Sequence, residues 1–252
     1  MEPFTFEMGP LKCSTHTIQQ LLLEVRMLLR DKTVQPRTIL CVNAHIYNLA
    51  FSDVSLRQAL NSARIIAADG MGIVMAARLF GKEIRERCNM TEAFRAFLKS
   101  GQMPESRGVL LGVAEREAAL AAGHIERMSS HCRIVETASG YCTDAEYERI
   151  LLSHKDADFV FVGMGTPKTE RISRLAATIC PNSIVWAIGG GTIRIIAGTL
   201  KEAPVTVRRC GLQWLHRLYL EPRIMWRRYL IGNPLFAIRV VGCARKQRKT
   251  GG

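Results

Sequence analysis

Four short segments of this 252-residue chain carry residue types and spacings that suit chemistry. They are Asn43-Ala44-His45, Asp69-Gly70-Met71-Gly72, Gly163-Met164-Gly165-Thr166-Pro167-Lys168-Thr169-Glu170 and Gly189-Gly190-Gly191-Thr192. Each follows a short apolar run. Asp69 stands out, because a carboxylate directly behind a buried strand and ahead of Gly-x-Gly is partly desolvated. Its pKa then rises, which suits a general base. The same position also suits a helix N-cap, where Asp is favoured. The glycine-rich segments bring backbone N–H groups close to a phosphate at a helix N-terminus, and they serve equally well as tight turns. Neither is a Walker loop, since no GxxxxGK[ST] occurs, and Gly163-Met164-Gly165 lacks the third glycine of a dinucleotide fingerprint. Arg87, in Glu86-Arg87-Cys88-Asn89, is the type that grips a phosphate with two N–H groups. Its other use is a surface ion pair.

No metal site is expected. The eight cysteines (13, 41, 88, 132, 142, 180, 210 and 243) include no CxxC pair, and the six histidines form no HExxH. Asp156-Ala157-Asp158 has the DxD form that many sugar transferases use to hold a divalent cation. It precedes its strand, however, and so belongs to the end of the sheet away from the other candidates. The first residues show neither a basic n-region nor an apolar h-region, so no secretory leader is expected. The cysteines then read as reduced thiols in the cytoplasm.

Chemistry at four separate segments needs a scaffold that lines them up. Thr38–Val42, Arg64–Ala68, Gly108–Gly112, Cys132–Val135, Asp158–Val162 and Ser183–Ile188 are short and almost continuously apolar, as strands buried on both faces of a parallel sheet are. Helix-like segments alternate with them at Ser55–Ala63, Gly72–Phe80, Thr91–Ser100, Ala114–Ser129, Asp144–Ser153 and Pro167–Cys180. Thr143 with Glu146 three residues on reads as a capping box. The alternation predicts an α/β fold, a Rossmann-like parallel sheet flanked by helices, over residues 1–204. Open parallel sheets bind ligands at the carboxyl ends of their strands, which is where all four segments fall.

Composition supports a folded chain: 48% of residues are apolar and 23% charged, close to the globular average. No uncharged apolar run reaches the length of a membrane span. The net charge of +13 is concentrated at one end, with +10 in Lys201–Gly252 and +3 before it. Residues 205–252 therefore form a basic, helical C-terminal appendage, with helices expected over Val205–Leu220, Arg223–Leu230 (stopped by Gly232-Asn233-Pro234) and Leu235–Lys249. Trp214, Leu215, Leu218, Tyr219, Trp226, Tyr229 and Leu230 lie among arginines there. That mixture suits a membrane interface, with rings at headgroup depth and guanidiniums on lipid phosphates. A nucleic-acid groove also combines Arg with aromatics, but no RNP, KH, homeodomain or zinc-finger pattern is present. Trp214 also fits a packed core.

Taken in order, the motifs resemble those of the WecG/TagA/CpsF glycosyltransferase family. They are Asn43, Asp69-Gly-x-Gly72, Arg87, Gly140-Tyr141, Val162-Gly-x-Gly-x-Pro-Lys-x-Glu170, Gly189-Gly-Gly191, Ala197-Gly198, Ala203-Pro204, Gly211-Leu-x-Trp214-Leu-x-Arg217, Glu221-Pro222-Arg223 and Arg227-Arg228-Tyr229. The resemblance runs from about Thr38 to about Phe236. It implies a metal-independent, inverting transfer, without cofactor, from a UDP-sugar to a polyprenyl-diphosphate-linked sugar. The setting would be the anionic inner face of the cell membrane, in the synthesis of teichoic acid, enterobacterial common antigen, capsule or exopolysaccharide. By the same resemblance Asp69 is the base, Arg87 is important for activity, and Arg217, Arg223, Arg227 and Arg228 serve membrane docking and closure over the site. Substrate would be bound by Cys41, Asn43, Gly70, Gly72, Gly163, Gly165, Pro167, Lys168, Thr169, Glu170, Gly189, Gly190 and Gly191. The chain departs from the family pattern at Cys41 (usually Thr), Thr169 (Gln), Arg194 (Asp), Glu202 (Arg) and Gln213 (Glu). Those changes bear on the donor sugar, so N-acetylmannosamine, glucose and other hexoses all remain as donors. A homo-oligomer is compatible with the sequence. The rival readings are a nucleotide-dependent oxidoreductase, for which the dinucleotide loop and its acidic ribose contact are missing, and a basic nucleic-acid-binding α/β protein.

Overall fold

The computed structural model describes residues 4–209 and 211–250. The chain begins with the hairpin β1 (Thr5–Met8) and β2 (Leu11–Ser14), followed by α1 (Ile18–Arg30). Next come β3 (Thr38–Val42), α2 (Ala44–Ser52), α3 (Val54–Asn61), β4 (Ile65–Ala68), α4 (Met71–Ala77) with a 3-10 turn at Arg78–Phe80, and α5 (Met90–Leu98). The second half of the sheet comprises β5 (Ser106–Gly112), α6 (Glu115–Met128), β6 (Cys132–Ala138), α7 (Asp144–Ser153), β7 (Phe159–Gly163), α8 (Lys168–Ile179), β8 (Ile184–Ala187) and α9 (Gly190–Ile196). The tail adds α10 (Val205–Arg209), α11 (Gln213–Leu220), α12 (Pro222–Trp226), a π-helical turn at Arg227–Ile231 and α13 (Gly232–Thr250).

The eight strands form one sheet in the order β1-β2-β4-β3-β8-β7-β5-β6. Only the β1–β2 pair is antiparallel. The Rossmann-like α/β architecture expected from the alternation is therefore present. All positions of β4 and β7 are buried, which is why their sequences are continuously apolar: helices cover both faces. On one face Phe94, Phe97, Phe159, Phe161 and Trp186 stack into an aromatic cluster with edge-to-face contacts at 5.0 to 5.9 Å. Each such side chain contributes roughly 1.5–3 kcal/mol by leaving water. On the other face α7 and α8 bury Val109, Val160, Val162 and Val185.

The order of the strands creates the site. From β3 the chain steps outward to β4, crosses to β5 and β6 on the far side, and returns inward through β7 to β8, which pairs with β3. The tips of β4, β3, β8 and β7 thus stand side by side, at the place where the winding reverses. Asp156 and Asp158 lie at the other end, where Asp156 pairs with Arg107 at 3.0 Å and Asp158 with Lys32 at 3.3 Å.

Two expectations for the tail need correction. Val205–Leu220 is not one helix: α10 ends at Arg209 and α11 starts at Gln213, with Gly211 between them at φ 73°, a left-handed value that breaks a helix. Nor does Gly232-Asn233-Pro234 stop a helix. Proline lacks an N–H, and its ring crowds the carbonyl four residues back. Here the turn just before is π-helical and shifts the bonding by one residue, so the helix runs on to Thr250. The hairpin β1–β2, α1 and α2 were not anticipated at all. Cys210 lies outside the described residues. No described helix is long and apolar enough to cross a membrane.

Candidate active site

The strand tips open into a cleft of about 1510 Å³. Cys41, Asn43, Asp69, Gly70, Gly72, Arg87, Gly163, Gly165, Thr169, Glu170, Gly189, Gly190 and Gly191 all line it, and so do Arg217 and Arg228 from the tail. Pro167, Lys168, Arg223 and Arg227 are not part of the lining. Lys168 is committed elsewhere, its Nζ donating to the carbonyls of Gly140 (2.9 Å) and Cys142 (3.1 Å). Arg223 and Arg227 are exposed on the outside of the tail.

Asp69 is not the helix cap. Gly70 occupies the N-cap position of α4 at φ 141°, and the Asp69 carboxyl turns into the cleft, where Oδ1 accepts a hydrogen bond from Asn89 Nδ2 at 3.0 Å. Burial raises its pKa above the usual carboxylate range, against the lowering pull of Arg87, the Asn89 hydrogen bond and Arg228. Asn89 is itself fixed, because its Oδ1 caps α5 by accepting from Glu92 N at 3.1 Å. Asn43 caps α2 in the same way, with Oδ1 accepting from the backbone N–H groups of His45 and Ile46 at 3.1 Å each.

Arg87 is not a surface ion pair. Its side chain is 12% exposed; Nη2 lies 3.5 Å from Glu92 Oε1, and Nη1 donates to Gln213 Oε1 of α11 at 3.2 Å. Glu92 also takes Arg208 at 2.9 Å, and Arg208 reaches Glu202 at 3.3 Å. Glu202 therefore sits in a chain of alternating charge that joins α5 to the tail.

The glycine tips are packed backbone to backbone. A Cβ on Gly163 would lie 2.7 Å from the Gly189 carbonyl carbon, so no side chain fits between β7 and β8 there. At Gly191 an added Cβ would lie 2.8 Å from Arg217 Nη1, which places that guanidinium directly on the third glycine-rich turn. Arg217 Nη2 donates to Glu221 Oε2 at 2.9 Å, and Glu221 Oε1 accepts from Arg194 Nη1 at 2.8 Å. Arg194 also donates to Glu117 at 3.3 Å. Glu170 is buried, with Oε1 accepting from Thr166 Oγ1 at 2.9 Å, and burial raises its pKa.

Several lining residues escaped the sequence reading. Asn89 stands beside Arg87 in the sequence, with no local signal that ties it to Asp69. Glu221 belongs to the Glu221-Pro222-Arg223 motif, whose spacing does not announce its bonds to Arg194 and Arg217. Val113, at the tip of β5, holds φ 52°, a strained value for a β-branched residue. Its carbonyl accepts from Gly140 N at 2.7 Å. Trp214 is neither core nor free: it is 36% exposed at the cleft and packs at 5.8 Å against Tyr229. Among the described residues no group of three or more His, Cys, Asp or Glu is placed to hold a metal ion.

Comparison with known proteins finds a family and relatives. The model of the glycosyl transferase WecG/TagA/CpsF family matches residues 8–250. The N-acetylglucosaminyldiphosphoundecaprenol N-acetyl-beta-D-mannosaminyltransferase of Bacillus subtilis (strain 168) is 27% identical over 212 residues, 83% of this chain and 80% of the relative. The protein of the same name from Staphylococcus aureus (strain NCTC 8325 / PS 47) is 24% identical over 237 residues, 92% of this chain and 91% of the relative.

Proposed function

This chain belongs to the WecG/TagA/CpsF family of glycosyltransferases, and from that membership we propose that it transfers a sugar from a UDP-sugar to a polyprenyl-diphosphate-linked saccharide, with inversion at the anomeric carbon. The carrying observation is that the desolvated carboxyl of Asp69, Arg87, Arg217 and two glycine turns all face one cleft. The acceptor class follows the named substrates of the relatives. The donor sugar is N-acetylmannosamine, glucose or another hexose, because Cys41, Thr169 and Arg194, which depart from the family pattern, all line the same cleft.

The reaction is a single in-line displacement. Asp69 accepts the proton of the acceptor hydroxyl as its oxygen attacks the anomeric carbon. The bond from that carbon to the diphosphate oxygen breaks, its electron pair leaves with UDP, and the new glycosidic bond forms on the opposite face. Charge builds on the departing diphosphate, and fixed donors aimed at it lower the barrier. Arg87, Arg217 and the backbone N–H groups of Gly165, Gly190 and Gly191 fill this role without a divalent cation. The protein works as a peripheral enzyme on the inner leaflet, docked through its basic tail.

A donor screen tests the proposal. Purified protein receives UDP-N-acetylmannosamine, UDP-glucose and other UDP-hexoses with a short polyprenyl-diphosphate-linked sugar, and UDP release is followed with and without EDTA. We expect acceptor-dependent release with one donor, insensitive to EDTA. No release with any donor refutes the activity, and loss of release in EDTA refutes metal independence.

A further inference from the structure

The cleft is larger than the polar chemistry requires. Its 1510 Å³ exceeds the roughly 300–1,000 Å³ of ordinary small-molecule pockets, and part of its lining is apolar. From Asp69 the cleft continues along α4 and the 3-10 turn behind it. Met71, Met75 and Leu79 recur every four residues, so they share one helical face. They line the cleft and are 41%, 64% and 39% exposed. From α13 the buried Phe236 and Val240 and the exposed Val241 line the same stretch. The two helices meet at Gly72, where an added Cβ would lie 3.4 Å from the Phe236 ring. The result is a trough with an apolar floor and apolar walls, roughly 12 Å from Met71 to Leu79 at the helical rise per residue.

A row of large apolar side chains left open to solvent marks a binding surface, and unbranched, polarizable methionines suit a flexible aliphatic guest. One end of the trough adjoins the carboxyl of Asp69. At the other end Arg248 Nη2 approaches the Leu79 carbonyl at 3.5 Å, and Arg245, Lys246 and Lys249 lie on the same last turns of α13. A ligand that fits must therefore present a sugar hydroxyl beside Asp69, carry its diphosphate past the polar end of the cleft, run an aliphatic chain along the remainder of the trough and originate in an anionic leaflet at the other end.

We infer that the trough between α4 and α13 holds the first isoprene units of the polyprenyl diphosphate acceptor. This assignment rests on the acceptor class proposed above. It means that the protein grips the lipid as well as its sugar, and lifts the proximal part of the chain out of the bilayer.

Two measurements on the full chain test it. In the first, a farnesyl-diphosphate-linked N-acetylglucosamine with a diazirine on its prenyl chain is photolysed with the protein, and the labelled peptides are mapped. Label is expected within 71–80 and 236–241, and label confined to other segments overturns the trough whatever the activity. The second compares kcat/KM for acceptors with one isoprene unit and with three. The wild type should favour the longer acceptor by at least about tenfold, and Met75→Glu should bring that ratio close to one. Met75 is largely exposed, so an unchanged melting temperature certifies the variant's fold. A ratio that Met75→Glu leaves intact overturns the assignment. Should no UDP-sugar be transferred while label still falls in the trough, the transfer reading fails and the prenyl site stands.

Discussion

Asn89 holds Asp69 with one end of its side-chain amide and the first turn of α5 with the other: Nδ2 donates to Asp69 Oδ1 at 3.0 Å, and Oδ1 accepts from Glu92 N at 3.1 Å. One residue thus fixes both the carboxylate and the helix beside it. Asn89→Ala should lose the cap, about 1 kcal/mol of stability, together with the orientation of Asp69. Asn89→Ser keeps a capping oxygen but not the amide donor. We expect Asn89→Ser to melt close to the wild type while kcat falls on the order of 10-fold or more. A kcat equal to wild type in that variant would show that Asp69 needs no such support.

Asp69→Asn should lower kcat on the order of 10²-fold or more, with donor affinity, measured by calorimetry, retained. Near-wild-type turnover would remove Asp69 as the base.

The pH dependence has a definite sign. Burial raises the pKa of Asp69 in the folded state, so the folded protein binds a proton more readily than the unfolded chain does. Stability contributed at this position falls as pH rises from the ordinary carboxylate range through the raised folded value. Asp69→Asn should therefore be the more stable protein at neutral pH, and its advantage should vanish in acid; urea melts at several pH values read this directly. Arg87 opposes the shift, so Arg87→Gln should move the acid limb of the kcat/KM profile to higher pH. A limb that stays in place or moves down would contradict the pairing.

Arg217 lies on the Gly191 turn with its other nitrogen held by Glu221. Arg217→Lys keeps the charge but loses the planar fork. We expect kcat/KM to fall on the order of 10-fold for Lys and 10²-fold for Ala, with vesicle binding unchanged in both. Equal effects on turnover and on flotation would make Arg217 a membrane contact instead.

Vesicle binding should depend on the outer face of the tail, where Arg223 and Arg227 are exposed beside Trp226, Leu230 and Ile231. Each cation near an anionic leaflet is worth about 1 kcal/mol. Reversing both to Glu should reduce flotation with anionic liposomes more than tenfold, with little effect on neutral ones. Salt-sensitive binding to nucleic acid with no flotation would turn the reading toward the rival class.

The parallel strands were legible because burial on both faces demands continuous apolar runs such as Ile65–Ala68, and the rule that open parallel sheets bind ligands at the carboxyl ends of their strands put the four tips on one edge, though not in order. The hairpin β1–β2 escaped notice because two four-residue strands alternate too briefly to show a period. The partners of Asp69 and Arg87 escaped for a different reason: Asn89 is 20 residues from Asp69, and Gln213 is 126 residues from Arg87, so only the folded chain brings them together. Gly232-Asn233-Pro234 misled because proline punctuates α-helices, and nothing local announces the π-helical turn that accommodates it.

That turn has a mechanical consequence. Asn48 of α2 donates to the Gly232 carbonyl at 2.7 Å, and the Arg239 Nη1 returns a bond to the Asn48 carbonyl at 2.6 Å. With no hinge at Gly232, the run from Pro222 to the chain's last described turn behaves as a stiff beam clamped near its midpoint. Phe236 lies between the two clamped residues and Val240 directly after the second, so the part of α13 that meets α4 is held in place against α2.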